Sequence, residues 1–257
     1  MDTLSVLRKI ANAARDRYLE LAEKEKDELA KKVRRSIYGH QSSFLDVEVE
    51  KSIIEFVEVH DLPFDIFTEE AGKINRGYER VLIVDPIDGS YNAEHGIPFF
   101  SVSLAIGKKS LRDVEVGFVK NIPLDIDYWA IRGEGAYRDG ERLRTGGRSD
   151  LYVVYLGRNA SEMAYKVAGK ARRVRDLGCA SLEMITVAEG ISDVFFYSFR
   201  KSGALRIVDV AASSLIVEEA GGLVLDESLK PLNMRIDAGE RKNVIAVANK
   251  DMMGVFK

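Results

Sequence analysis

Three short stretches of the sequence set carboxylates beside small residues. "VLIVDPIDGSYN" (81–92) runs four apolar residues into Asp85 and Asp88, with Pro86 between them and Gly89 and Ser90 behind. "FDIFTEEAG" (64–72) ends an apolar run with Glu69 and Glu70, and "LRIVDVAASSLIVEEAGG" (205–222) carries Asp209 ahead of apolar and small residues. Each has an ordinary reading. Pro and Gly suit a β-turn, paired glutamates before a loop are usually solvated, and an Asp at a helix start is an N-cap. The chemistry argues further. Gly89 lets a backbone N–H approach a ligand closely, and Ser90 adds a hydroxyl. A helix starting near Tyr91 would aim unpaired N–H groups at an anion. Carboxylates flanking that anion need a cation between them, and hard oxygen ligands suggest Mg2+.

The bulk of the chain limits the alternatives. With 257 residues, 46% apolar and 31% charged, it has material for a large core, in one domain or in two halves sharing an interface. A formal charge of −3 leaves no basic excess for nucleic acid or an anionic membrane. Cys179 is the single cysteine, so no internal disulfide forms, which suits a reducing cytoplasm. The first twenty residues are too charged for a signal peptide, and no apolar run approaches the roughly 18 residues that span a bilayer.

The elements that must position the carboxylates follow from periodicity. Leu4, Leu7, Ala11, Ala14, Tyr18 and Leu21 predict a long amphipathic opening helix. Ser42 or Ser43 caps a second one over 44–59, which puts Asp46 in its first turn, where the helix dipole favours a negative charge. Strands are expected near "FDIF", at "VLIV" and at "FFSVSLAIGK", then a meander whose last turn is "RDGE", with a charged loop over 72–80. The second half alternates strands with helices at 159–171, 180–190 and 209–220, the last ending at Gly221 and Gly222. This predicts layered α and β. The expected division is 1–147, carrying most of the carboxylates, and 148–257, carrying Asp209, with a shared cleft.

"FTEEAG", "VDPIDGSYNAEHGIPFFSVSLAI" and "VDVAASSLIVEEAGG" together resemble the signature segments of the inositol monophosphatase family of Mg2+-dependent phosphatases, in that family's order. The likeness runs from about Asp46 to Gly222, and the short length and "VGFVKN" resemble its archaeal branch, which acts on inositol phosphates and fructose 1,6-bisphosphate. The resemblance implies two or three Mg2+ ions, with Mn2+ as a substitute, held by Glu69, Asp85, the carbonyl of Ile87, Asp88 and Asp209. It implies a phosphate cradled at Asp88, Gly89 and Ser90, and a water oriented by Asp46 and the Ser90 hydroxyl, with Glu69 also in the catalytic set. Arg175, Ala180 and Arg200 match positions that contact the distal part of the substrate, where a guanidinium suits a second phosphate. The resemblance also implies an α-β-α-β-α sandwich of alternating helices and mixed sheets, and a homodimer is usual in such families.

Two positions depart from the family pattern. Ser90 stands where Thr is usual, which keeps the hydroxyl and loses the stiffening methyl. Ser202 stands where the animal enzymes carry a Glu that contacts a substrate hydroxyl, which argues against narrow inositol specificity.

The remaining candidates read as structural. His40, His60 and His95 lack metal-ligand spacing, Cys179 reads as a small buried residue, and Asp125 and Asp127 read as solvent-facing. Three rival readings remain. A haloacid-dehalogenase-type phosphatase wants its aspartates two apart, whereas Asp85 and Asp88 are three apart. A 3'(2'),5'-bisphosphate nucleotidase would share the metal motif, and a non-catalytic metabolite-binding protein would have lost part of it.

Overall fold

The computed structural model describes residues 2–35, 41–146, 148–201 and 203–256; His40, Gly147 at the expected boundary, and Ser202 lie outside them. Helix α1 (Thr3–Lys24) starts where the Asp2 carboxylate accepts the Ser5 N–H at 3.2 Å, and it buries Leu7, Ala11, Ala14 and Leu21 as the periodicity predicts. A hairpin of β1 (Lys32–Arg35) and β2 (Gln41–Ser43) leads into α2 (Phe44–Val59), capped by Ser43. Next come β3 (Asp65–Thr68), β4 (Lys73–Ile74), β5 (Val81–Asp88) and the short α3 (Ser90–His95). The meander follows as β6 (Ser101–Gly107), β7 (Val116–Asn121), β8 (Ile126–Ile131), β9 (Gly135–Arg138) and β10 (Glu141–Arg142). These strands form one eight-stranded sheet in the order β10-β9-β8-β7-β6-β5-β3-β4, in which only β3 and β5 pair in parallel.

The rest of the chain supplies β11 (Leu151–Val154), α4 (Glu162–Ala168), β12 (Arg173–Arg175), α5 (Ala180–Ala188), β13 (Val194–Tyr197), α6 (Ile207–Glu219), β14 (Leu223–Leu225) and β15 (Val244–Val247). Its five strands form a second sheet in the order β12-β11-β13-β15-β14. Helices α1 and α2 cover one face of the large sheet, α5 and α6 lie between the two sheets, and α4 packs on the far side of the small one. The layering is the predicted α-β-α-β-α. The central core draws on both sheets and on α5 and α6.

Four local expectations change. The predicted turn at "DPID" is strand: β5 runs through Pro86 to Asp88, its pairing with β6 slipping between Asp85 and Asp88, and the chain turns only at Gly89. A bulge re-aims side chains without ending a strand, which places both carboxylates at the same strand end. Two residues of the expected loop 72–80 pair as β4. Helix α4 is shorter than 159–171, capped at Ser161 and stopped before Gly169. Helix α6 starts two residues early, so Asp209 lies inside its first turn and Arg206 takes the N-cap position.

Helix α6 can reach the large sheet because β7 offers no side chain at Gly117. A Cβ there would lie 2.7 Å from the Ala212 carbonyl oxygen and 2.9 Å from its Cα. This close approach delivers Asp209 from α6 to the end of β5.

Asp125 and Asp127 are not simply solvated. The buried Lys120 ammonium lies 2.7 Å from a carboxylate oxygen of each.

Candidate active site

A cavity of about 230 Å3 opens beside the ends of β3 and β5 and the start of α6, with Glu69, Asp85, Asp88, Asp209, Arg206 and Arg241 as its charged lining residues. Ile87, Gly89, Ser90 and Ala180 also line it. Glu69, Asp85 and Asp209 each offer an oxygen within 4.8 Å of the others, although they come from the β3 end, the β5 end and the first turn of α6. Asp85 Oδ1 is buried with no hydrogen-bond partner among the described residues. A buried carboxylate oxygen without a donor is costly unless a cation takes that place. Three clustered carboxylates, one of them carrying the orphaned oxygen, suit a hard divalent cation.

Asp88 sits differently from the other three. Its oxygens accept the Ser181 N–H at 2.6 Å, the Ala180 N–H at 3.2 Å and the Cys179 thiol at 3.2 Å. It therefore caps α5 as well as facing the cavity, and it ties the first half of the chain to the second. Asn92 makes a parallel link, its amide donating to the Phe99 and Leu177 carbonyls at 2.8 and 2.7 Å. Between these two links the chain turns at Gly89, with φ +86°. The Ile87 carbonyl, expected at the metal, accepts the Ser90 hydroxyl at 2.9 Å.

Helix α2 supplies two buried acids one turn apart. Asp46 Oδ2 accepts the Ser43 hydroxyl at 2.7 Å, while Oδ1 is buried without a partner among the described residues. Glu50 accepts the N–H groups of Glu70 at 2.8 Å and Ala71 at 3.4 Å, and so fixes the bend that presents Glu69. The Ser42 hydroxyl donates to Glu70. Glu50 was not singled out from the sequence; the available signal was its spacing of four from Asp46, on the same helix face.

Burial is the main electrostatic force here. It pushes the Asp46 carboxyl up to about 7, helped by the charge of Glu69 and opposed by the Ser43 hydrogen bond and the nearby Ser90 hydroxyl. Asp88 rises to about 6 by burial, against the donors at Ser181. Asp85 is held well above the ordinary carboxylate range by burial and the charges of Glu69, Asp88 and Asp209.

The sign of the pH effect follows. A carboxyl protonated in the folded chain and ionised in the unfolded one stabilises the fold at low pH, and that contribution is lost as pH rises through the raised value. For Asp46 the window runs from about 4 to about 7, and for Asp88 from about 4 to about 6. The chelated protein is therefore expected to melt on the order of 5 °C higher at pH 5 than at pH 8. Differential scanning calorimetry checks this, and a melting temperature that climbs over that interval contradicts it.

Two expected substrate residues lie away from the cavity. Arg175 is exposed on β12, with its guanidinium donating to the Val174 carbonyl at 2.7 Å. Arg200 lines a neighbouring cavity of about 480 Å3 with Arg158 and Lys201, and its Nε donates to the Ala160 carbonyl at 2.8 Å. Arg206 and Arg241 line the acidic cavity itself. In the sequence Arg206 belongs to the same short basic stretch as Arg200 and Lys201. Arg241 had no signal at all, lying in a loop far from every motif. Of the residues read as structural, His60 and His95 are exposed, and Cys179 is buried as expected but also donates to Asp88.

The family model described as the inositol monophosphatase family matches residues 4–254. The chain belongs to that family. Its members are metal-dependent phosphoric monoester hydrolases, and Glu69, Asp85 and Asp209 form an acidic cluster that could bind a metal. A curated relative from Thermococcus kodakarensis, named fructose-1,6-bisphosphatase/inositol-1-monophosphatase, is 34% identical over 227 residues, covering 86% of this chain and 83% of its own. A relative of the same name from Methanothermobacter thermautotrophicus is 32% identical over 230 residues, covering 83% and 81%. A crystal structure of an inositol monophosphatase–fructose 1,6-bisphosphatase superimposes with a TM-score of 0.84 at 27% identity, covering 99% of this chain and 98% of that one. Family membership selects the phosphatase reading over the haloacid-dehalogenase-type and non-catalytic ones. No helix among the described residues is long and apolar enough to cross a membrane.

Proposed function

We propose that this phosphatase hydrolyses fructose 1,6-bisphosphate and inositol 1-phosphate with Mg2+ bound at Glu69, Asp85 and Asp209, and with Asp88 and the Ile87 carbonyl completing the site. The observation that carries the reading is the convergence of those three carboxylates around the unpartnered Asp85 oxygen. Mn2+ is the expected substitute. Residues 1–147 and 148–257 act as two halves of one cleft; the eight-stranded sheet comes from the first and the five-stranded sheet from the second. A cytoplasmic homodimer is part of the proposal, with size-exclusion light scattering as its check.

A phosphate monoester resists water because it is anionic and its alkoxide leaves poorly. A divalent cation, when bound, supplies Lewis-acid charge that acidifies water and neutralises the leaving oxygen. The chain's own residues do the rest. Asp46 and the Ser90 hydroxyl orient the attacking water, and Asp46, held near neutrality by burial, takes its proton. Gly89 and Ser90 turn their N–H groups to the phosphate, since a first-turn amide has no intrahelical acceptor. The water oxygen bonds to phosphorus, the ester P–O bond breaks in line, and the alkoxide takes up a proton from solvent. No side chain acts as nucleophile, so no phosphoenzyme accumulates.

In this reading Arg241 meets a second anionic group. Among the described residues its guanidinium donates only a long hydrogen bond, 3.4 Å to the Ala204 carbonyl, so it can turn to a ligand. A charge-assisted hydrogen bond is worth about 1.5–3 kcal/mol. Arg241→Met is therefore expected to raise KM for fructose 1,6-bisphosphate at least about tenfold more than KM for inositol 1-phosphate. Equal changes for the two substrates contradict the assignment.

The experiment that tests the function is phosphate release from fructose 1,6-bisphosphate, inositol 1-phosphate and 3'-phosphoadenosine 5'-phosphate, side by side with Mg2+. Turnover of the first two supports the proposal. Turnover of the nucleotide alone replaces it with the nucleotidase reading.

A further inference from the structure

Arg206 breaks a local rule. The residue before a helix is commonly Ser, Thr, Asp or Asn, whose side chain accepts a free N–H, and a cation there faces the positive end of the helix dipole. Arg206 has neither advantage at the start of α6, and its side chain is only 10% exposed. A buried guanidinium at a helix N-terminus needs anions to hold it.

It finds them in the metal-ligand set. One terminal nitrogen lies 2.5 Å from Glu69 Oε1 and 2.9 Å from Asp209 Oδ1, while Nε lies 3.4 Å from Asp209 Oδ2. The backbone N–H of Arg206 adds a further bond to Asp209 Oδ2 at 2.7 Å. The guanidinium thus bridges two of the three clustered carboxylates, across a sequence separation of 137 residues. Four carboxylates face the cavity, and Arg206 is the buried cation among its lining residues.

We propose that Arg206 is a built-in counter-cation of the metal cluster: it holds Glu69 and Asp209 together before an ion arrives and lowers the affinity with which the ion is then bound. The inference rests on reading the cluster as the metal site. The physical logic is Coulombic. Without a cation, the clustered carboxylates repel one another across a poorly solvated space. The guanidinium relieves that repulsion in the metal-free protein. The same positive charge, a few ångströms from the ion's place, opposes the ion. Arg206 acts through Glu69 and Asp209, so it is a positioning residue rather than a catalytic one.

The test compares wild type with Arg206→Met, Arg206→Gln and Arg206→Lys by melting temperature in chelator and in saturating Mg2+, and by calorimetric Mg2+ binding. Gln keeps a hydrogen-bond donor without the charge, which provides a second neutral variant should Met fold poorly. The neutral variants are expected to melt below wild type in chelator, and to recover most of the difference in Mg2+. They are expected to bind Mg2+ about tenfold more tightly than wild type, with Lys close to wild type. A residue serving only the helix start or the packing would lower the melting temperature equally in both buffers. That result, or Mg2+ binding by the neutral variants that is unchanged or weaker, overturns the inference. Wild type that binds no Mg2+ overturns the metal reading itself, and this inference with it.

Discussion

Asp85→Asn is expected to lower phosphatase activity about a thousandfold while leaving a folded protein. Asp85 is buried at the end of β5, within the group of carboxylate oxygens that lie 4.8 Å or less apart, and one of its own oxygens has no hydrogen-bond donor. The amide keeps the shape and removes the charge. The charge stabilisation lost from the transition state is of the order of several kcal/mol, and roughly 4 kcal/mol is a factor of about a thousand. Stability should move the other way. Ionised Asp85 is disfavoured by burial and by its acidic neighbours, so a neutral side chain relieves the metal-free protein. Calorimetry in chelator should show the variant melting at or above wild type, with the stabilisation by Mg2+ largely gone. A variant that melts well below wild type in chelator, or that keeps its response to Mg2+, shows that Asp85 is structural.

Gly89→Ala is the second large effect, and it damages fold and activity together. At φ +86° an Ala is strained, by about 1 kcal/mol. Its Cβ would also meet the Cys179 Cβ and the Gly178 carbonyl oxygen at 3.1 Å, and the Phe99 carbonyl oxygen at 3.2 Å. Two of those three atoms are backbone, so the neighbours yield only by moving the chain. The strain falls between Asp88, which caps α5, and Ser90, and so it shifts both. A loss of roughly 2 kcal/mol in stability and about a hundredfold in kcat is expected. Chemical denaturation and steady-state kinetics check it. A stable variant with wild-type kcat contradicts the role given to this turn.

The carboxylates were legible because each sits inside a strong local pattern. Asp85 and Asp88 end the most apolar strand of the chain, and Asp46 follows a Ser that caps its helix. The layered architecture was legible for the same reason, since its helices and strands carry clear periodicities. What escaped the sequence depends on contacts across long separations. Arg206 reaches Glu69 across 137 residues, and no short motif announces that pairing. The Asp88 cap on α5 spans 93 residues to Ser181. Arg241 joins the cavity only because β15 brings its loop there. The bulge in β5 was hidden because Pro86 and Gly89 also fit a turn, and only the pairing with β6 decides between them. Arg175 and Arg200 show the converse. Their roles were implied by resemblance alone, and the structure sets one on an exposed strand and the other in a neighbouring cavity.

The metal site is tested most sharply by phosphate release from inositol 1-phosphate by chelated protein as Mg2+ is restored, with Asp85→Asn beside the wild type. No turnover is expected in chelator, wild-type turnover is expected to recover as Mg2+ is added, and almost none is expected in the variant at any Mg2+ concentration. Undiminished turnover in chelator, or a variant that recovers as wild type does, contradicts a metal site built on Glu69, Asp85 and Asp209.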